Sequence, residues 1–338
     1  MSEAPRPPGV VGAALGARLR DRDLAAAPAA LNLIESTAQA DREQTAALLA
    51  ELSPGSLGGE APCHVIGVTG PPGAGKSTLL SALLHTWRQR GRTVAMLAVD
   101  PSSRRSGGSL LGDRARIDFD PADAGVLIRS TAAGERLGGL ARATRAAAHA
   151  LAAAFDVVVI ETVGVGQAET EVAEVADTVA VVVQPGGGDV LQFLKAGIME
   201  IPDVLVVTKA DLGQIAVGTR RDLSAALRSL GSRGTPVVAV SSLPPPTGIE
   251  ELIDALEEHR AGLDIGERRL AARRAAALSD FASEHGERGI RALGGRAAAE
   301  DLLAGQDPGL DVPALARALQ LVASRDSLRP GIERGDGT

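Results

Sequence analysis

The chain has 338 residues with 35 basic and 42 acidic side chains, a formal net charge of -7 that opposes a phosphate backbone and disfavours nucleic-acid binding. Its aromatic residues are Trp87, Phe119, Phe155, Phe193 and Phe281 with no tyrosine, so the stacking platforms of single-strand binders are missing. Cys63 is the only cysteine and the five histidines are scattered, which excludes an internal disulfide and the paired spacings of a zinc or nickel site.

In chain order, residues 1–12 carry Pro and Gly and read as disordered, and residues 13–52 read as Ala/Leu-rich helices. SPGSLGGEAP, Ser53 to Pro62, is dense in turn formers and marks a boundary. After it come seven β-branched runs, VIGVT, TVAMLAV, VLIRST, DVVVIE, TVAVVV, VLVVT and PVVAVSS, separated by amphipathic Ala/Leu segments. Apolar runs of that kind suit strands buried on both faces, and strands alternating with helices predict a mostly parallel sheet. The predicted division is a helical extension over 1–60, an α/β domain over 61–263 and a helical arm and tail over 264–338. Residues 264–325 are Arg/Ala-rich and read as too polar for a good core of their own, which suits an arm or a dimer element. The tail from Pro330 reads as frayed. No run reaches about 18 uninterrupted apolar residues, and the opening residues resemble no leader, so the expectation is a soluble cytoplasmic protein with no membrane partner.

GPPGAGKST, comprising Gly70, Pro71, Pro72, Gly73, Ala74, Gly75, Lys76, Ser77 and Thr78, satisfies the phosphate-loop pattern between an apolar strand and a helix. Backbone N–H groups of such a turn face β-phosphate oxygens, Lys76 bridges the β- and γ-phosphates, and the Ser77 hydroxyl binds magnesium at the helix N-terminus. Two later strands deliver carboxylates at their C-terminal ends, the edge where α/β sheets bind ligands: Asp100, and Glu161 followed by TVG. Asp100 could hold magnesium directly or through water, Glu161 through water, and the Gly164 N–H could face the γ-phosphate. Asp100 before Pro101 equally fits a turn initiator, and Glu161 a solvated strand end. In VVTKAD, the Asp211 carboxylate could accept from two guanine donors with the Lys209 stem along the base; Thr208 stands where this motif usually has Asn. Ser241, Ser242 and Leu243 would lie over the base edge.

In that order, GPPGAGKST, VDPSSRRSGGSLLGDRARI, ETVGVGQAE and PGGGDVLQFLKAGI resemble the MeaB/ArgK family of P-loop GTPases, of the SIMIBI class, over about 200 residues. LNLIES, Leu31 to Ser36, is also similar to a family stretch, and the likeness thins in the arm. The resemblance implies a cytoplasmic GTPase, binding GTP or GDP with Mg2+, that serves as metallochaperone for an adenosylcobalamin-dependent acyl-CoA mutase, chiefly methylmalonyl-CoA mutase. It implies a homodimer formed through the arm. Asp100, Asp113 and Glu161 then match acidic positions around magnesium and the first two switches, and Gln167 lies in the second switch. Gly188 to Lys195, with Asp189, Gln192 and Lys195, match a third switch. Asp113 also fits an ordinary early-helix acid. Of the basic residues only Lys76, Lys195 and Lys209 are lysine; Lys195 alone lies outside the nucleotide motifs and suits partner coupling. The competing readings are an ATP-dependent kinase linked to amino-acid transport, which Thr-Lys-Ala-Asp opposes, and a nickel-insertion GTPase, which the missing Cys/His clusters oppose.

Overall fold

The computed structural model describes residues 9–100, 117–132, 142–162, 168–186, 202–229, 231 and 234–327. The seven expected strands all form: β1 (His64–Thr69), β2 (Val94–Asp100), β3 (Val126–Ala132), β4 (Val157–Thr162), β5 (Thr178–Val183), β6 (Val204–Val207) and β7 (Val237–Ala239). They make one sheet in the order β3-β2-β4-β1-β5-β6-β7, with every pairing parallel. β1 is central, and the chain turns to opposite sides of it through β4 and β5, so the crevice at its C-terminal end is the topological switch point where such sheets take ligands.

The helices follow from the spacing of their apolar residues. In α5 (Lys76–Gln89), Leu79, Leu80, Leu83, Leu84 and Trp87 are buried against Ile66, Val68 and Met96 on one sheet face. In α9 (Ile249–Ala261), Ile249, Leu252, Ile253 and Leu256 extend that layer. The other face, with Val65, Leu97, Val158 and Val181, receives α6 (Arg142–Ala152), α7 (Ala168–Ala173) and α8 (Gln214–Ser229). It also receives the N-terminal helices α1 (Val10–Arg20), α2 (Ala27–Glu35), α3 (Gln39–Glu51) and α4 (Pro54–Leu57), whose Leu19, Leu31 and Leu48 join the same core. The extension is therefore one layer of the domain. Its LNLIES segment is pinned where Arg129 of β3 donates to Asn32 at 2.9 Å and pairs with Glu35. Helix α1 starts at Val10, inside the stretch expected to be disordered, because α3 supports it: the Gly12 N–H donates to Gln44 Oε1 at 2.8 Å.

Beyond Gly262 the described residues are helical, in α10 (Ile265–Ala292, interrupted at Gly286), α11 (Arg296–Ala304) and α12 (Val312–Ser327). Contrary to expectation, these helices bury a core of their own, including Leu278, Phe281, Leu293, Leu303, Leu315 and Leu319. Composition hid it because the arginines are spent on carboxylates and carbonyls, leaving the apolar face intact. Arg269 of α10 forms a bidentate pair with Asp177, at 2.9 and 2.7 Å, and donates to the Ala61 and Cys63 carbonyls. Asp177, only 1% exposed, also accepts from the Val65 N–H at 2.9 Å, so the arm is fastened to the base of the central strand. No helix among the described residues is long and apolar enough to cross a membrane.

Candidate functional site

The loop after β1 is shaped by close approach. Gly70 has φ 145°, and a Cβ there would stand 2.1 Å from the Val182 carbonyl oxygen of β5, so no other residue lets the chain turn against that strand. Gly75, in the left-handed region, then starts α5, and the first-turn N–H groups of that helix face the loop with the positive end of its dipole. Lys76 is 7% exposed, and its Nζ donates to the Gly70 carbonyl at 2.7 Å and the Pro71 carbonyl at 3.2 Å. The ammonium is thus held under the concave side of the loop. Ser77 is half-buried, Ala74 buried, and Pro72, Gly73 and Thr78 exposed.

Glu161, near the end of β4, is buried and lies laterally beside Val68 of β1 and Ala98 of β2. That register sets the carboxylate beside the strand that feeds the phosphate loop. Asp100 closes β2 two residues beyond Ala98; its side chain lies outside the described residues, as do Asp113, Gly164, Gln167, Asp189, Gln192 and Lys195. At the same sheet edge the hydroxyls of Thr69 and Thr162 are buried with no hydrogen-bond partner among the described residues. Buried orphans of this kind are rare, and an incoming polar group would satisfy them.

The TKAD segment docks directly on the loop. Thr208, 3% exposed, donates its hydroxyl to the Ala74 carbonyl at 2.6 Å, with the Val183 carbonyl at 3.1 Å. Lys209 takes a left-handed backbone, φ 53°, and its Nζ reaches the Gly73 carbonyl at 3.2 Å and Gln184 Oε1 at 2.7 Å. The exposed Asp211 carboxylate accepts from Ser241 Oγ at 2.9 Å, and the Ala210 N–H donates to the Val240 carbonyl. Ser241 is in turn held by paired backbone bonds to Thr247, beside half-buried Ser242 and Leu243, which is 58% exposed. The structure therefore joins the phosphate loop, Glu161, the TKAD segment and the Ser241 turn along one sheet edge. Sequence reasoning missed Gln184, whose only signal is its position one residue past an apolar strand, and the role of the Ala74 carbonyl, which no side chain announces.

The donor set suits a hard divalent cation held largely by phosphate and water. It offers a helix-start hydroxyl at Ser77 and a strand-end carboxylate at Glu161, and among the described residues no three His, Cys, Asp or Glu side chains gather into an all-protein metal cage.

Comparison with known proteins agrees with this geometry. Over 253 residues the chain is 44% identical to a probable GTPase of Mycobacterium tuberculosis, covering 73% of this chain and 74% of the relative. Over 200 residues it is 40% identical to the mitochondrial methylmalonic aciduria type A homolog of mouse, covering 57% of this chain and 48% of the relative. A crystal structure described as LAO/AO transport system kinase superposes with TM-score 0.62 at 27% identity, over 96% of this chain and 99% of that one. The chain is accordingly a P-loop GTPase. A family model described as methylmalonyl Co-A mutase-associated GTPase MeaB matches residues 12–288, from the first helix through the whole sheet and into the arm, and the chain belongs to that family.

Proposed function

We propose that this GTPase is a chaperone for an adenosylcobalamin-dependent acyl-CoA mutase, methylmalonyl-CoA mutase or a relative, and that its nucleotide state gates cofactor loading and protection. The observation that carries the reading is the family match over residues 12–288, whose description names that mutase. The mouse relative, named for methylmalonic aciduria, supports it.

In this reading the N–H groups of Gly73 to Ser77 receive the β-phosphate, and Lys76 Nζ shifts from its two carbonyls to β- and γ-oxygens, neutralising charge as the bond to the γ-phosphorus breaks. Asp211 and Lys209 hold guanine, with Ser241, Ser242 and Leu243 along its edge. Ser77, Asp100, Asp113 and Glu161 would hold Mg2+, which would supply a Lewis acid to withdraw charge from the phosphate oxygens. Gly164 and Gln167 complete the γ-phosphate side, and Asp189, Gln192 and Lys195 relay the state to the mutase. Switch loops ordered by γ-phosphate and released on hydrolysis make the activity conformational, with a slow intrinsic turnover. The working form is a cytoplasmic homodimer built through the arm.

The test is hydrolysis with and without purified mutase. Wild type should be stimulated, whereas Lys195→Ala should keep basal hydrolysis and GTP affinity and lose the stimulation. No stimulation of wild type by any such mutase refutes the chaperone reading. The name of the superposed crystal structure favours the competing reading, a kinase linked to amino-acid transport, and tighter binding of ATP than GTP in a competition assay would support it.

A further inference from the structure

At the end of the sheet opposite the phosphate loop lies a cavity of about 90 Å³. Its floor is Val65 at the start of β1, and its roof is Leu52, Pro54 and Leu57 at the α3–α4 junction. Its lining includes two pairs of alanines one helical turn apart, Ala148 and Ala152 on α6, and Ala272 and Ala276 on α10. Val175, just after α7, and Val312 of α12 close the sides.

Two lining residues carry buried polar atoms without hydrogen-bond partners among the described residues, His149 Nε2 and Arg273 Nε. They are complementary. The His149 ring is bonded to the Leu52 backbone, and burial keeps the imidazole neutral, with its pKa pushed down to about 4; with the other ring nitrogen donating to Leu52, Nε2 is left as an acceptor. Arg273 spends Nη1 on Glu60 at 2.8 Å and Nη2 on the Pro308 carbonyl at 3.0 Å, leaving Nε–H as a donor. A hydroxyl group both donates and accepts and so has the chemistry to answer both atoms, which lie near enough that the Arg273 charge helps push the His149 pKa down. An anion finds no uncommitted guanidinium in the lining, because Arg269 is paired with Asp177, Arg273 with Glu60 and Arg145 with Asp280; a cation would meet Glu174, whose charged form is disfavoured by burial and by the neighbouring Glu171.

We infer that this cavity is a binding site for a small, uncharged aliphatic alcohol, its alkyl body against the alanine pairs and its hydroxyl between His149 and Arg273. The occupant touches the N-terminal extension, the segment after α7 and the arm at once, so binding stiffens the junction of all three. The inference stands whether or not the chaperone reading holds, since it concerns the end of the sheet remote from the nucleotide.

The experiment uses the full chain with labelled Ala, Val and Leu methyl groups, titrated with isobutanol, isobutyrate and isobutylammonium, which share one alkyl body and differ in charge. Isobutanol should give saturable shifts centred on Ala148, Ala276 and Val175 and bind at least about tenfold more tightly than either ion. Ala276→Leu, and independently Ala148→Leu from the other pair, should weaken isobutanol at least about tenfold while GTP affinity is unchanged. Shifts that rise linearly without saturating, map elsewhere, or persist in both filled variants would show that the cavity holds only water and overturn the inference. Should both variants fail to fold, the wild-type shift map decides alone: saturation centred on the cavity upholds the site, and any other pattern overturns it.

Discussion

The Thr208 hydroxyl donates to the Ala74 carbonyl at 2.6 Å, so the residue standing where the TKAD-type motif usually has Asn ties that segment to the phosphate loop. A hydroxyl has a single proton, and here it is committed to backbone, so Thr208 shapes the loop; in the proposed reading, discrimination between bases then falls to Asp211, whose carboxylate accepts from Ser241.

Thr208→Val keeps the shape of the side chain and removes the bond, leaving the Ala74 carbonyl buried without its donor. A lost buried hydrogen bond of about 1–3 kcal/mol predicts that GTP and ATP affinities fall together, by roughly fivefold to a hundredfold. Isothermal calorimetry with both nucleotides checks this, and a loss confined to GTP would place Thr208 on the base instead.

Lys76→Ala should leave the fold intact and remove most hydrolysis. The side chain is buried under the loop, and among the described residues no other lysine or arginine is bonded to the Gly70 and Pro71 carbonyls. Single-turnover assays retaining more than about a tenth of the wild-type rate, a change under ~1.4 kcal/mol, would remove Lys76 from its assigned role.

Gly67, in the middle of β1, is where α7 seats against the sheet: a Cβ there would lie 2.7 Å from Val172 Cγ2 and 3.3 Å from Ala176 Cβ. Overpacking of that kind costs about 1–3 kcal/mol. Gly67→Ala should lower the denaturant midpoint, and Val172→Ala added to it should recover part of the loss. Additive effects in the double variant would show that the two residues do not press on one another.

Stability should fall as pH drops below about 6.5. Burial withholds hydration from the imidazolium form of His64 and of His149, pushing their pKa values down to about 3 and about 4. The unfolded chain takes up protons on both near pH 6.5 while the folded chain does not, so their contribution is fully present above that pH. It is lost on the way down to the folded values, at up to about 1.4 kcal/mol per pH unit for each histidine. Denaturation midpoints from pH 7.5 to 4.5 test this, and His149→Phe should flatten the profile.

By itself the amino-acid sequence determined the seven strands, their separation by helices, the phosphate loop and the TKAD segment, because each is a short-range pattern: a β-branched run, a glycine spacing, an apolar stripe. It also placed Glu161 at a strand end. What it left to the tertiary structure are pairings set by which strands become neighbours and which helix lies across them. The Thr208–Ala74 tether spans 134 residues and the Arg269–Asp177 pair 92. Gln184 becomes a partner of Lys209 only because β5 and β6 adjoin, and α1 begins early only because α3 lies beneath it. The arm's core stayed hidden for the same reason: an Arg-rich helix reads as solvated until the carboxylates and carbonyls that absorb its charges are brought to it by the fold.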